Sequence, residues 1–118
     1  MNERVLREFR LACDANDRAA LSRLLAADVT AVSDGGGRVT VPAGPVTGRA
    51  DVASLVLGAL GSCPGSTLVE QPVNGRGGLV LRQAGDVVGV ASLKIAGDEV
   101  TDVWLVLNPD KLRGWNAG

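Results

Sequence analysis

Residues 87–107 read VVGVASLKIAGDEVTDVWLVL. Apolar side chains recur there at alternate positions on both sides of Ala96-Gly97-Asp98, a turn in which glycine tolerates positive φ. Such alternation marks strands with one covered face, so the stretch predicts paired strands over 87–95 and 100–107. Working backward, Ala84-Gly85-Asp86 separates them from a strand over 78–83. Asn74-Gly75-Arg76-Gly77 in turn separates that strand from one over 67–73. The second half of the chain is thus expected to be a β meander.

Upstream the period changes. Val5, Phe9 and Ala12/Cys13 fall three or four residues apart on one helical face, with Arg4, Arg7, Glu8 and Arg10 on the other. Residues 14–17 break this helix, and Asn16 or Asp17 is placed to cap a second. Its stripe is Leu21, Leu24 and Leu25, and it is expected to end near Ala27. From Asp28 the period becomes two. Residues 28–41 predict a β-hairpin that turns at Asp34-Gly35-Gly36-Gly37 and ends at Pro42, Gly44 and Pro45. A third helix follows Gly48-Arg49-Ala50-Asp51 with Val52, Leu55, Val56 and Ala59 inward, and stops at Gly61 or Pro64. The order α-α-β-β-α-β-β-β-β gives an α+β domain, three helices from the N-terminal half packed on a strongly curved antiparallel sheet. That domain is expected to occupy 1–107. A tail, 108–118, breaks at Pro109 and is apolar only at Leu112 and Trp115.

Length and composition bound the function. The 118 residues hold one domain, and 12 Lys+Arg against 13 Asp+Glu leave a net charge of −1. Direct nucleic-acid binding or adhesion to an anionic membrane would need a concentrated basic excess, so neither is expected. The absence of His and Tyr excludes Ser-His-Asp and Cys-His catalytic pairs and any imidazole-based zinc site. Two cysteines, Cys13 and Cys63, are too few for a thiolate zinc cage and carry no disulfide framework. They are expected as reduced thiols, the default location being the cytoplasm. No metal and no cofactor are expected.

Three local stretches carry a family resemblance. They are Asp28-Val29 leading to Ser33-Asp34-Gly35-Gly36-Gly37-Arg38, then Pro45-Val46-Thr47-Gly48, and finally Asn108-Pro109-Asp110-Lys111-Leu112; Asn74-Gly75 after Pro72-Val73 adds to them. In that order they resemble the C-terminal SnoaL-like domain of extracytoplasmic-function sigma factors, a variant of the nuclear transport factor 2-like fold, over roughly residues 4–113. The resemblance implies a bent sheet forming a cone around an internal pocket. It further implies a non-catalytic regulatory or small-molecule-binding module, docked on sigma-factor helical domains or an RNA polymerase-associated partner. A small apolar ligand in the cone and a second copy of the chain are the other partners it brings. Those sigma factors carry two helical domains upstream that these residues do not include. A free-standing relative and a piece cut at the domain boundary both fit, and transcription initiation is not carried over.

The candidate residues each have two readings. Asp34, at the first position of its turn, is either an interface carboxylate or a cap on backbone N–H groups. Gly35, Gly36 and Gly37 are plain turn geometry or allow close approach of a partner backbone; no Lys-Ser/Thr and no helix follow, so a phosphate loop is disfavoured. Arg38 and Lys111 are placed to pair with Asp34 or Asp110. Asn108, Pro109, Asp110, Lys111 and Leu112 read as a strand stop and, through the resemblance, as a contact element. Should the turn and the tail form one surface, they must meet at one end of the sheet. Trp104 shares a side with Asp102 and Val106: it either backs a pocket carboxylate or sits at an interface with Asp102 in solvent. The alternative function is a small cone-fold enzyme, an isomerase, cyclase or epoxide hydrolase working through Asp34 and Asp102. A steroid isomerase relying on Tyr fails for want of Tyr. An Asp-Arg-Asp epoxide hydrolase would recruit Arg82 or Arg38.

Overall fold

The N-terminal stripe winds into a helix as its spacing requires. In the computed structural model, which describes residues 3–35, 41–62, 64–73 and 75–116, α1 spans Glu3–Asp14 and buries Val5, Leu6, Phe9, Ala12 and Cys13. Asn16, with φ 51°, reverses the chain into α2 (Arg18–Leu24). Asp17 is the cap: its carboxylate accepts the Ala20 N–H at 3.0 Å, satisfying a donor that the first turn leaves free. Asp17→Ala is expected to cost about 1 kcal/mol, read as a lower urea midpoint at unchanged slope.

α2 stops three residues before the Ala27 end read from its stripe, because β1 (Leu25–Asp34) begins at once and places Leu25, Val29 and Ala31 in the core. The hairpin differs too. β1 pairs antiparallel with β2 (Val46–Thr47), matching Thr30 to Thr47 and Ala31 to Val46. Of the arm expected up to residue 41, Val41 is in no strand and residues 36–40 lie outside the described set. Prolines explain the shift: Pro42 and Pro45 cannot donate to a ladder, and Val46-Thr47 is the first stretch beyond them that can.

α3 (Arg49–Leu60) follows, ending where Gly61 approaches Asn16 and the Leu57 carbonyl closely. The meander is β3 (Ser66–Glu70), β4 (Gly77–Gln83), β5 (Asp86–Ala96) and β6 (Glu99–Val106), and α4 (Pro109–Asn116) closes the order. All six strands form one sheet in the order β2-β1-β6-β5-β4-β3. The sheet is mixed rather than wholly antiparallel, because β1 runs parallel to β6. Alternation along the meander makes β6 oppose β3, and α3 delivers the chain to the far edge running against β1. Thus β1 and β6 must point the same way.

One face of the sheet takes the first three helices. Phe9, Leu21, Leu25, Leu79, Leu93 and Leu105 are fully or almost fully buried between the layers in one continuous core. These side chains pack the space between the helices and the sheet, where a cone pocket was expected. Four depressions formed by described residues open on the outside, between α1 and α2, beside Glu70–Pro72 and near the ends and outer face of the sheet. Ion pairs tie α1 to the strand ends. Arg10 donates to Glu70 at 2.7 Å, and this bond, more than the loss of water that opposes it, raises the guanidinium pKa.

Cys13 is a free thiol, and burial, aided by neighbouring Asp14, pushes its pKa up to about 12. Cys63 lies outside the described residues. In native protein at pH 8, iodoacetamide should leave the Cys13 peptide unmodified while labelling it in guanidinium; equal labelling by mass spectrometry would contradict the burial.

Among the described residues, the other sheet face is covered at one end only. There the segment read as a low-apolar tail forms α4, with Leu112 buried among Val73, Val80, Val87 and Val90 in a second cluster. No described helix is long and apolar enough to cross a membrane.

Candidate functional site

Strand parity assigns the sides. On β1, Val29 and Ala31 face the helices, so Thr30, Val32 and Asp34 face away. Pairing sets three cross-strand rows on this outer face: Lys94, Asp102 and Thr30; then Ser92, Trp104 and Val32; then Val90, Val106 and Asp34. A register shift between Lys94 and Ile95 lets Val100 as well as Val103 and Leu105 face the core. That settles the side of Trp104: it points away from the helices, 48% exposed, next to Val32 at 44%.

The third row ends in a polar junction. Lys111 on α4 pairs with Asp34 at 2.5 Å, Asn108 Nδ2 donates to the other Asp34 oxygen at 3.4 Å, and the Leu107 N–H donates to the Asp34 carbonyl at 2.7 Å. Asn108 also stands at the cap of α4, its carbonyl accepting the N–H groups of Lys111 and Leu112. Hence Asp34 and the 108–112 segment, 74 residues apart at Asp34 and Asn108, meet at one end of the sheet. Gly35 is buried beside this junction. Gly36, Gly37 and Arg38 lie outside the described residues, as do the side chains of Pro109 and Asp110. Leu112 is 3% exposed, so it anchors α4 to the sheet and presents no surface to a partner.

Asp102 does not join this junction. It is exposed, takes a hydrogen bond from its neighbour Thr101 at 3.0 Å, and stands four strand positions from the residue paired with Asp34. At a strand rise of about 3.3 Å per residue the two carboxylates are roughly 13 Å apart, too far to share one reacting atom. Arg82 is on β4, across β5 from both of them. Glu70 and Asp98 hold Arg10 and Arg4.

Between the rows lies a shallow depression of about 410 Å³ lined by Val32, Trp104, Ser92, Lys94, Asp102 and Arg76 among others. Reading the strands for function missed Val32, Lys94 and Arg76. The signal was present for Val32: with Val29 and Ala31 inward, period two puts a valine in solvent. Among the described residues no cluster of His, Cys, Asp and Glu could hold a metal ion.

This arrangement of three helices on one face of a bent mixed sheet is the nuclear transport factor 2-like, SnoaL-like fold. No family model and no curated protein matches the chain. Among solved structures it is similar to the extracytoplasmic-function sigma factor SigJ of Mycobacterium tuberculosis, with TM-score 0.68 and 25% identity over 95% of this chain. That match covers 44% of the sigma factor, in its C-terminal region, so the chain spans under half of that protein. An NTF2-like protein of unknown function from Cytophaga hutchinsonii matches with TM-score 0.62 and 13% identity over 96% of this chain and 95% of the other. A candidate ketosteroid isomerase from Kribbella flavida gives 0.55 and 19% over 86% and 73%.

Proposed function

We propose that this chain is a non-catalytic regulatory domain that docks on sigma-type helical domains, with the Asp34–Asn108–Lys111 junction as part of the contact. The observation that carries this reading is the meeting of the two sigma-factor-like segments at one end of the sheet, where Lys111 and Asn108 both hold Asp34. The likeness to SigJ over nearly the whole chain supports it. An exposed lysine beside a half-buried carboxylate makes a polar rim, the usual border of a protein interface.

The test is calorimetric titration of the chain with the part of SigJ that it does not cover, supplied in trans. Lys111→Glu is expected to weaken binding at least tenfold. The fold should survive, because exposed ion pairs contribute only about 0–1 kcal/mol. Absence of binding by the wild type, or unchanged binding by Lys111→Glu, would remove the proposal.

An enzyme with the same fold is the second reading, favoured by the isomerase-like and cyclase-like neighbours. The separation of Asp34 from Asp102 speaks against it. Model epoxides and steroid enones are accordingly expected to show no turnover. Turnover abolished by Asp34→Asn or Asp102→Asn would reverse that preference.

A further inference from the structure

The outer sheet face carries an apolar strip that no part of the described chain covers. Trp104 and Val32 lie side by side on it, about half exposed, with Ser92 completing their row. Large apolar side chains so exposed cost nothing when single, but a tryptophan and a valine paired in one depression mark a contact surface. The rim is charged unevenly. Arg76 and Lys94 are both exposed, and neither makes an ion pair or a side-chain hydrogen bond among the described residues. The one carboxylate in the depression, Asp102, already takes the Thr101 hydroxyl. A partner placed here meets two available cations around an apolar floor.

The same face also displays how it accepts a helix. α4 lies on the neighbouring row, held by buried Leu112 and by the Lys111–Asp34 pair. Rows two residues apart along a strand are about 7 Å apart, close to the roughly 8–10 Å at which helices pack side by side. A second helix beside α4 therefore comes down on Trp104 and Val32.

We infer that this strip is the seat of an amphipathic, acidic helix from a protein partner, whose apolar stripe covers Trp104 and Val32 and whose carboxylates meet Arg76 and Lys94. The inference deepens the docking proposal and rests on it: it names a surface beyond the junction and the chemistry of the element that docks there. Cationic rims of this kind set both specificity and encounter rate for an acidic partner.

Two synthetic sixteen-residue helical peptides provide the probe, with one leucine stripe in common and either Glu or Lys at the flanking positions. Titrated into the full chain, the Glu peptide is expected to bind, moving the amide resonances of Val32, Ser92 and Trp104. The Lys peptide is expected to bind at least tenfold more weakly. Trp104→Ala, and separately Arg76→Glu with Lys94→Glu, should each weaken the Glu peptide at least tenfold while circular dichroism stays that of the wild type. Equal binding of the two peptides, or no effect of Trp104→Ala, overturns the inference. So does sedimentation showing a dimer that Trp104→Ala dissolves, since the strip would then belong to a second copy. The uncovered part of SigJ separates the two proposals. If it binds and Trp104→Ala leaves it unaffected, docking stands and the strip is not its seat. Binding of the Glu peptide at the strip with none of the SigJ part would support the surface and its helix chemistry while removing the sigma-type partner.

Discussion

Phe9→Ala is expected to lower the unfolding free energy by about 3–5 kcal/mol, the range for truncating a buried aromatic ring. Phe9 is fully buried and, among the described residues, is the largest side chain in the core and its sole aromatic. It stands on α1 where that helix meets the rest of the core, so its loss leaves a cavity bordered by the sheet, which cannot move in to fill it. A domain of this size holds about 5–15 kcal/mol in total, so the variant should be folded at 15 °C in buffer but close to its urea midpoint under mild denaturant. Equilibrium urea unfolding followed by far-ultraviolet circular dichroism measures it. A loss below about 1 kcal/mol would mean that the core collapses around the missing ring, against the packing described.

The second large effect belongs to Leu112. Leu112→Ala removes the buried side chain through which α4 joins the second apolar cluster, at an expected cost of about 2–4 kcal/mol. The described contacts that remain at that end include the exposed Lys111–Asp34 pair, about 1 kcal/mol at most, and the Asn108 contacts. The expected result is therefore local as well as global: amides of 110–116 should lose hydrogen-exchange protection while those of β5 and β6 keep theirs. Retained protection in α4 would show that contacts other than Leu112 hold the helix. With α4 released, Val80, Val90 and Val106 become continuous with the Trp104–Val32 strip, and the variant should self-associate at concentrations where the wild type does not.

The elements that could be read in advance were those whose signal is local. Strands β4, β5 and β6 announced themselves because each is a short apolar-rich run bounded by a glycine turn; Gly85 and Gly97 indeed take φ 87° and 61°. α3 was equally plain from Gly48 to Gly61. The parallel pairing of β1 with β6 could not be read, because it depends on how the whole meander closes and on no residue in either strand. α4 was hidden by Pro109, which reads as a stop after a strand yet sits well at the first position of a helix. Asn108 in front of it and Arg113 in the last turn were the missed signals. The candidate site was legible in part. Asp34 and Lys111 were named as possible pairing partners and do pair. The side occupied by Trp104 required the register shift at Lys94/Ile95, which leaves no mark in composition or period.

The parallel contact between β1 and β6 also orders events in time. β1 leaves the ribosome early, yet the strand that completes its hydrogen bonding, β6, follows only after α3 and three further strands. At about 5–20 residues per second, β1 spends several seconds with one edge offered to any other extended chain. Long-range pairing of this kind makes folding slow for the size of the domain. Crowded synthesis should therefore favour inclusion bodies, and lowering the expression temperature should help this domain more than it helps a helical bundle of equal length.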